Sequence, residues 1–142
     1  MSTRLQDKKE QLTTILELLA EESKSGIPIV VEGKKDIKTL RRLGIKGIII
    51  TTKTKGKSFL NVISEIKKIK SSNTILLLDF DKRGKQGTRY LQKNLEYHKI
   101  KCNLTYWKKL MALTSKKIQF IESLDVYLFN LNNKISKNNF II

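Results

Sequence analysis

Three carboxylates stand where they could act together. Acidic side chains are scarce over residues 27–142, which hold 8 of them against 25 basic ones. Glu32, Asp79 and Asp81 come directly after short apolar runs, beside glycines and among lysines and arginines. In Asp79-Phe80-Asp81 the two acids are two residues apart, and on an extended segment they point the same way. Clustered carboxylates repel one another unless a cation lies between them, and hard oxygen donors suit Mg²⁺, with Mn²⁺ as a substitute. A carboxylate in such a place can also move a proton. Each acid alone has a simpler use: Glu32 could cap the helix after Gly33, and Asp81 could hold its own turn. The joint placement points to chemistry.

Helix and strand signals alternate along the chain. Thr3-Arg4-Leu5-Gln6 has the form of a capping box, and Leu5, Leu12, Ile15, Leu16 and Leu19 follow at helical spacing, so a first helix should stop near Ser25-Gly26. Ile29-Val30-Val31 reads as a strand, Leu40 and Leu43 mark a helix closed by Gly44, and residues 47–52 read as a second strand. Phe59, Val62, Ile63 and Ile66 give a third helix, and Ile75 to Leu78 a third strand running into Asp79. A fourth helix is expected from about Thr88 to His98, beyond Gly84 and Gly87, and a fourth strand from Lys101 to Tyr106. Ile118, Ile121, Leu124, Leu128 and Leu131 line a last helix. Strands that are apolar throughout and separated by helices imply an α/β fold, with about four largely parallel strands covered on both faces. In such sheets chemistry gathers beyond the carboxyl ends of the strands, where Glu32, Asp79 and Asp81 fall. The organisation expected is an N-terminal helix over 1–26, an α/β domain over 27–131, and a mobile Asn/Lys-rich tail over 132–142.

Val31-Glu32-Gly33-Lys34-Lys35-Asp36, followed two β-α steps later by Asp79-Phe80-Asp81-Lys82-Arg83-Gly84, resembles the Toprim domain over roughly residues 27–107. That domain is shared by bacterial-type primases, type IA and type II topoisomerases, OLD-family nucleases and the ribonuclease that matures 5S ribosomal RNA. The E-G-K-x-D form is most similar to the ribonuclease and to small stand-alone archaeal Toprim proteins. The resemblance implies a Rossmann-like Toprim fold, Glu32 as general acid/base and aid to the metal, and Asp79 and Asp81 as Mg²⁺ ligands. Asp36 matches a more variable position of the first motif. A lone D-x-D would also suit haloacid dehalogenase-like phosphatases, but those place it after their first strand, and here two strands precede it.

The charge pattern bears on the partner. The whole chain carries +16, while residues 1–26 alone are slightly acidic. Lys53, Lys55 and Lys57 follow the second strand, Lys82, Arg83, Lys85 and Arg89 surround Gly84 and Gly87, and Lys34 and Lys35 follow Glu32. Three basic loops around an acidic centre would hold a phosphate backbone over a metal. Tyr90, Tyr97, Tyr106 and Tyr127 read as packing or surface residues rather than nucleophiles. Tyr106-Trp107 either stacks an unpaired base or anchors the last helix. His98 complements a helix dipole, and Cys102 is a small core residue. One Cys excludes an internal disulfide and a Cys-rich zinc site, and no apolar run is long enough to span a membrane. The polar first ten residues do not read as a secretory signal.

The expectation is a soluble cytoplasmic protein whose partner is nucleic acid, RNA ahead of DNA. It would process phosphodiesters with Mg²⁺. The alternatives are a non-catalytic nucleic-acid- or nucleotide-binding subunit of a larger RNA- or DNA-processing complex, and primase-like nucleotidyl transfer. If the lysines track the backbone, affinity for nucleic acid should fall log-linearly and steeply with salt. Replacing Lys53, Lys55 and Lys57 by Gln should flatten that slope in a binding titration over salt, and an unchanged slope would place the binding face elsewhere.

Overall fold

The computed structural model describes residues 4–53, 58–114 and 117–140. The capping box expected at Thr3 and the lysines Lys55 and Lys57 lie outside them. Four strands, β1 (Ile29–Val31), β2 (Ile49–Thr51), β3 (Asn73–Leu76) and β4 (Lys101–Asn103), form one sheet in the order β2-β1-β3-β4, every neighbouring pair parallel. The chain leaves β1 for β2 on one side and later places β3 on the other, so the crevice between the ends of β1 and β3 is the topological switch point of the sheet.

The strands are apolar throughout because both faces are covered. Ile29, Val31, Ile75 and Leu77 join one core with residues of α1 (Arg4–Lys24), α2 (Lys34–Arg42), α5 (Thr105–Leu113) and α6 (Leu124–Phe140). Val30, Ile50, Leu76 and Leu78 join the other with α3 (Phe59–Ile69) and α4 (Lys82–Tyr97). Alternate side chains of one strand therefore enter opposite cores, as the period of two requires. The stripes of α1 and α3 read from the sequence are buried at Leu12, Ile15, Leu16, Leu19, Val62, Ile63 and Ile66. Gly26 and Gly44 close α1 and α2 with φ of 105° and 94°. Cys102 packs against the α3/α4 core, where burial, with Glu96 nearby, pushes its thiol up to about 11.

Four expectations are corrected. The third ladder lies earlier, at Asn73–Leu76, although the N–H of Leu77 still donates to Val30 O at 2.8 Å. α4 starts at Lys82 rather than Thr88, because Asp81 caps it, its Oδ1 accepting from the Gly84 N–H at 2.8 Å. Lys82, Arg83, Lys85 and Arg89 therefore sit on helix turns and not on a loop, and Lys34 and Lys35 likewise open α2. β4 ends at Asn103, whose side chain accepts from the Thr105 N–H and turns the chain into α5, which the alternation of residues 101–106 had masked as strand. Residues 132–140, expected as a tail, continue α6.

Within α5, Trp107 is buried and its Nε1 donates to Leu78 O at 2.8 Å, just past the end of the β3 ladder. Tyr106 is buried too, so of its two readings the Tyr106-Trp107 pair takes that of an anchor and not of a base-stacking surface. The glycines of α4 serve close packing: a Cβ on Gly84 would overlap the backbone carbonyl of Asp79, whereas one on Gly33 would meet nothing within 4 Å. Gly84→Ala should therefore destabilise by at least ~2 kcal/mol, as overpacking against backbone does. Gly33→Ala should cost no more than ~1 kcal/mol, the loss of a favourable N-cap residue. Urea unfolding of the two variants checks the contrast.

Candidate functional site

Parallel pairing of β1 with β3 sets Ile29 beside Ile75 and Val30 beside Leu76, so the residues that follow each strand emerge side by side. Glu32 and Asp79 meet there, both buried. The backbone N–H of Asp79 donates to Glu32 Oε2 at 3.1 Å, and Lys53 Nζ lies 2.8 Å from Oε1. Lys53 comes from the end of β2, so three strand exits contribute to one cluster. Asp79 is held from the other side by Ile121, whose N–H donates to Oδ1 at 2.9 Å, while Phe80 N–H donates to Gln119 O at 2.7 Å. Residues 119–121, ahead of α6, thus clamp the Asp79-Phe80 turn.

Electrostatics follow from this crowding. Burial, then a hydrogen bond to the Glu32 carboxylate and its negative charge, push Asp79 up to about 8, so it carries its proton at neutral pH. Burial pulls Glu32 the same way, but the hydrogen bonds from Asp79 and the Lys53 ammonium outweigh it and hold Glu32 below the ordinary carboxylate range. The pair therefore shares one proton and one neighbouring ammonium.

The other sequence-derived candidates are placed differently. Asp36 is buried in the first turn of α2, where its Oδ2 accepts from the Gly33 N–H at 2.9 Å; burial, with Glu122 and Glu32 nearby, raises it. Gly33 is the N-cap of α2 and Asp36 satisfies that residue's own N–H, so Glu32 is not needed as a cap. Asp81 caps α4 through one oxygen and lines a groove of about 700 Å³ with Lys82, Arg83, Lys85 and Arg89. Glu32 and Lys53 line an adjoining cavity of about 630 Å³, and Arg83 and Gln86 border both. Lys34 is exposed, and Lys35 lines a separate groove between α2 and α6 with Lys38, Arg42 and Lys117. Among the described residues no three His, Cys, Asp or Glu side chains gather closely enough to cage a metal ion.

Sequence reasoning overlooked the far wall of the Glu32 cavity, built by Phe59, Gly87 and Tyr90. Its signal was present: once α4 begins at Lys82, Arg83, Gly87 and Tyr90 fall at i, i+4 and i+7 on one face.

Comparisons with known proteins agree with this architecture. A family model described as the Toprim domain matches residues 26–106. A UPF0292 protein of Methanosarcina acetivorans is 36% identical over 126 residues, covering 88% of this chain and 85% of that protein. A UPF0292 protein of Methanocaldococcus jannaschii is 32% identical over 120 residues, covering 84% and 91%. Among solved structures, a putative protein from Aquifex aeolicus superposes with a TM-score of 0.66 at 25% identity, covering 79% of this chain and 96% of that one. With its α/β sheet, its switch-point carboxylates and these relatives, the chain belongs to the Toprim domain family.

Proposed function

We propose that the protein is a Mg²⁺-dependent nucleic-acid-binding protein that cleaves phosphodiesters, RNA ahead of DNA, at the crevice between β1 and β3. The observation that carries this reading is the Glu32–Asp79 pair, in which two buried acids are held in hydrogen-bond contact and compensated by a proton and the Lys53 ammonium. Such a pair fits a divalent cation in donor chemistry, since Mg²⁺ is usually bound through one or two carboxylates together with waters and substrate phosphates. Asp79 and Glu32 would hold it, with Asp81 on the neighbouring turn as the further ligand that the family resemblance assigns. Bound there, Mg²⁺ would neutralise phosphate charge and polarise the scissile bond.

The chain's own groups supply the rest. Glu32 is ionised at neutral pH and can take the proton of a water whose oxygen bonds to phosphorus, while the P–O bond to the leaving oxygen breaks and that oxygen takes a proton from solvent. Lys53 and Arg83, which line the same cavity, would hold non-bridging phosphate oxygens. Lys82, Lys85 and Arg89 extend the positive surface along the adjoining groove. No helix among the described residues is long and apolar enough to cross a membrane, and a cytoplasmic location goes with this reading.

A second reading, a non-catalytic binding subunit, is favoured by the use made of Asp81: it spends an oxygen on capping α4, and among the described residues no third acid lies close enough to Glu32 and Asp79 to cage a metal. Glu32→Gln separates the two. Gln keeps the size of Glu and an acceptor for the Asp79 N–H but cannot take a proton, so the variant should fold and bind nucleic acid nearly normally. Mg²⁺-dependent cleavage should drop at least ~10²-fold. Equal cleavage by variant and wild type would overturn the mechanism, and binding without turnover in Mg²⁺ or Mn²⁺ would leave the subunit reading in its place.

The metal assignment makes its own prediction. The folded-state value of Asp79 is raised from 3.8 to about 8, so the folded protein keeps a proton that the unfolded chain releases. Stability from this group is full below pH 3.8 and is lost as pH rises toward 8, with a slope of at most ~1.4 kcal/mol per pH unit. Glu32, lowered, contributes in the opposite sense, losing stability only as pH falls below the ordinary range. Asp79→Asn mimics the protonated acid, so its stability relative to wild type should improve steadily between pH 4 and 8 in metal-free denaturant titrations. Calorimetric titration with Mg²⁺ should show weakened binding in the same variant. Unchanged Mg²⁺ affinity would remove Asp79 from the site.

A further inference from the structure

The cavity beside Glu32 has two chemically distinct ends. One carries Glu32, Lys53 and Arg83; the other is an aromatic wall in which the rings of Phe59 and Tyr90 lie 4.9 Å apart at 48°. Phe59 packs against the α3/α4 core, whereas Tyr90 remains 45% exposed although it has this aromatic neighbour, and both line the cavity. Between the two ends α4 places Gly87. A Cβ there would press on Leu78 Cδ2 at 2.9 Å and approach Phe59 at 3.7 Å. Arg83, Gly87 and Tyr90 follow one another on that helix face, with no side chain at Gly87 between the cation and the ring.

That sequence of chemistries matches one ligand class, a nucleoside phosphate with an unpaired base. A flat base stacks on a tyrosine ring, and its phosphate is an anion for Arg83 and Lys53. A base inside a duplex already has both faces stacked and cannot offer one to the wall. We propose that Tyr90, backed by Phe59, is a stacking platform for one unpaired base whose phosphate lies against Arg83 and Lys53. This face thereby selects single-stranded nucleic acid over duplex. The inference rests on the nucleic-acid reading above and adds to it the strandedness of the substrate and the residue that sets it.

The test is fluorescence anisotropy with the full chain in Ca²⁺ in place of Mg²⁺, with the oligomers shown intact afterwards, using labelled oligouridylate, labelled oligothymidylate and a blunt duplex of matched length, with uridine monophosphate as competitor. Three variants are compared after circular dichroism has shown them folded: Tyr90→Ala, Tyr90→Phe, and Tyr97→Ala as a control at an 82% exposed tyrosine near the other end of α4. Wild type should bind single strands more tightly than duplex. Tyr90→Ala should lose roughly ten- to a hundredfold in single-strand affinity, the loss of one stacked base, with duplex affinity unchanged. Tyr90→Phe and Tyr97→Ala should stay near wild type. Equal wild-type affinity for strand and duplex, or a Tyr90→Ala variant that binds single strands normally, overturns this inference and leaves the proposed function standing. A Tyr90-dependent complex with uridine monophosphate that is as tight as those with the oligomers overturns strand selection in favour of a free nucleotide. Failure to bind any of the nucleic acids overturns both.

Discussion

Two carboxyl groups buried side by side at the end of a parallel sheet constrain everything near them. Ionising both would set like charges against each other in a site that water screens poorly. The fold answers with a proton on Asp79 and an ammonium on Glu32, and then with backbone donors: Asp79 N–H to Glu32, and Ile121 N–H to Asp79. Each of these partners belongs to a different part of the chain. Lys53 follows β2, and Ile121 lies in the turn before α6, 42 residues beyond Asp79. The acidic pair can hold its geometry only when the two flanks of the domain are in place.

This gives the C-terminal third a purpose that its sequence did not advertise. α5 packs on α1 and contributes Trp107, which caps the carbonyl of Leu78 where the β3 ladder has run out of partners. Such a carbonyl left bare in the interior would cost about 1–3 kcal/mol. The following segment then binds the Asp79-Phe80 backbone and side chain, and Thr39 Oγ1 to Glu122 O and Arg42 to Asp125 tie it to α2. The additions around the sheet thus brace the carboxyl ends of β1 and β3, the edge that carries the acids.

The parts of this architecture that were legible in the sequence are those written in local patterns. Continuous β-branched runs separated by amphipathic stretches announce a parallel sheet covered on both faces, and the Glu32 and Asp79 motifs announce its switch point. What stayed hidden depends on contacts between distant residues. Gly84 and Gly87 look like loop punctuation until Leu78 and Asp79 are seen to pass beneath α4. Residues 101–106 alternate like a strand, but Asn103 stops it by accepting from Thr105 N–H. The clamp by Gln119 and Ile121 uses backbone atoms, which carry no sequence signature at all.

The Asp79-Phe80-Asp81 motif shows most clearly how spacing and geometry can part. Two acids at i and i+2 share a side only while the chain runs straight, and here it bends at Phe80-Asp81. Gly84, which has no Cβ to strike the Asp79 carbonyl, lets α4 start almost on top of the strand exit. The same early start makes Asp81 the N-cap, with its Oδ1 on the Gly84 N–H. One glycine therefore assigns the two acids different work in the fold: Asp79 turns inward to Glu32, and Asp81 terminates a helix that carries Arg83 and Tyr90 past the same cavity. Moving the helix start by one turn would shift the cation and the ring away from the acids, so the close approach of Gly84 to Asp79 sets where both stand relative to Glu32.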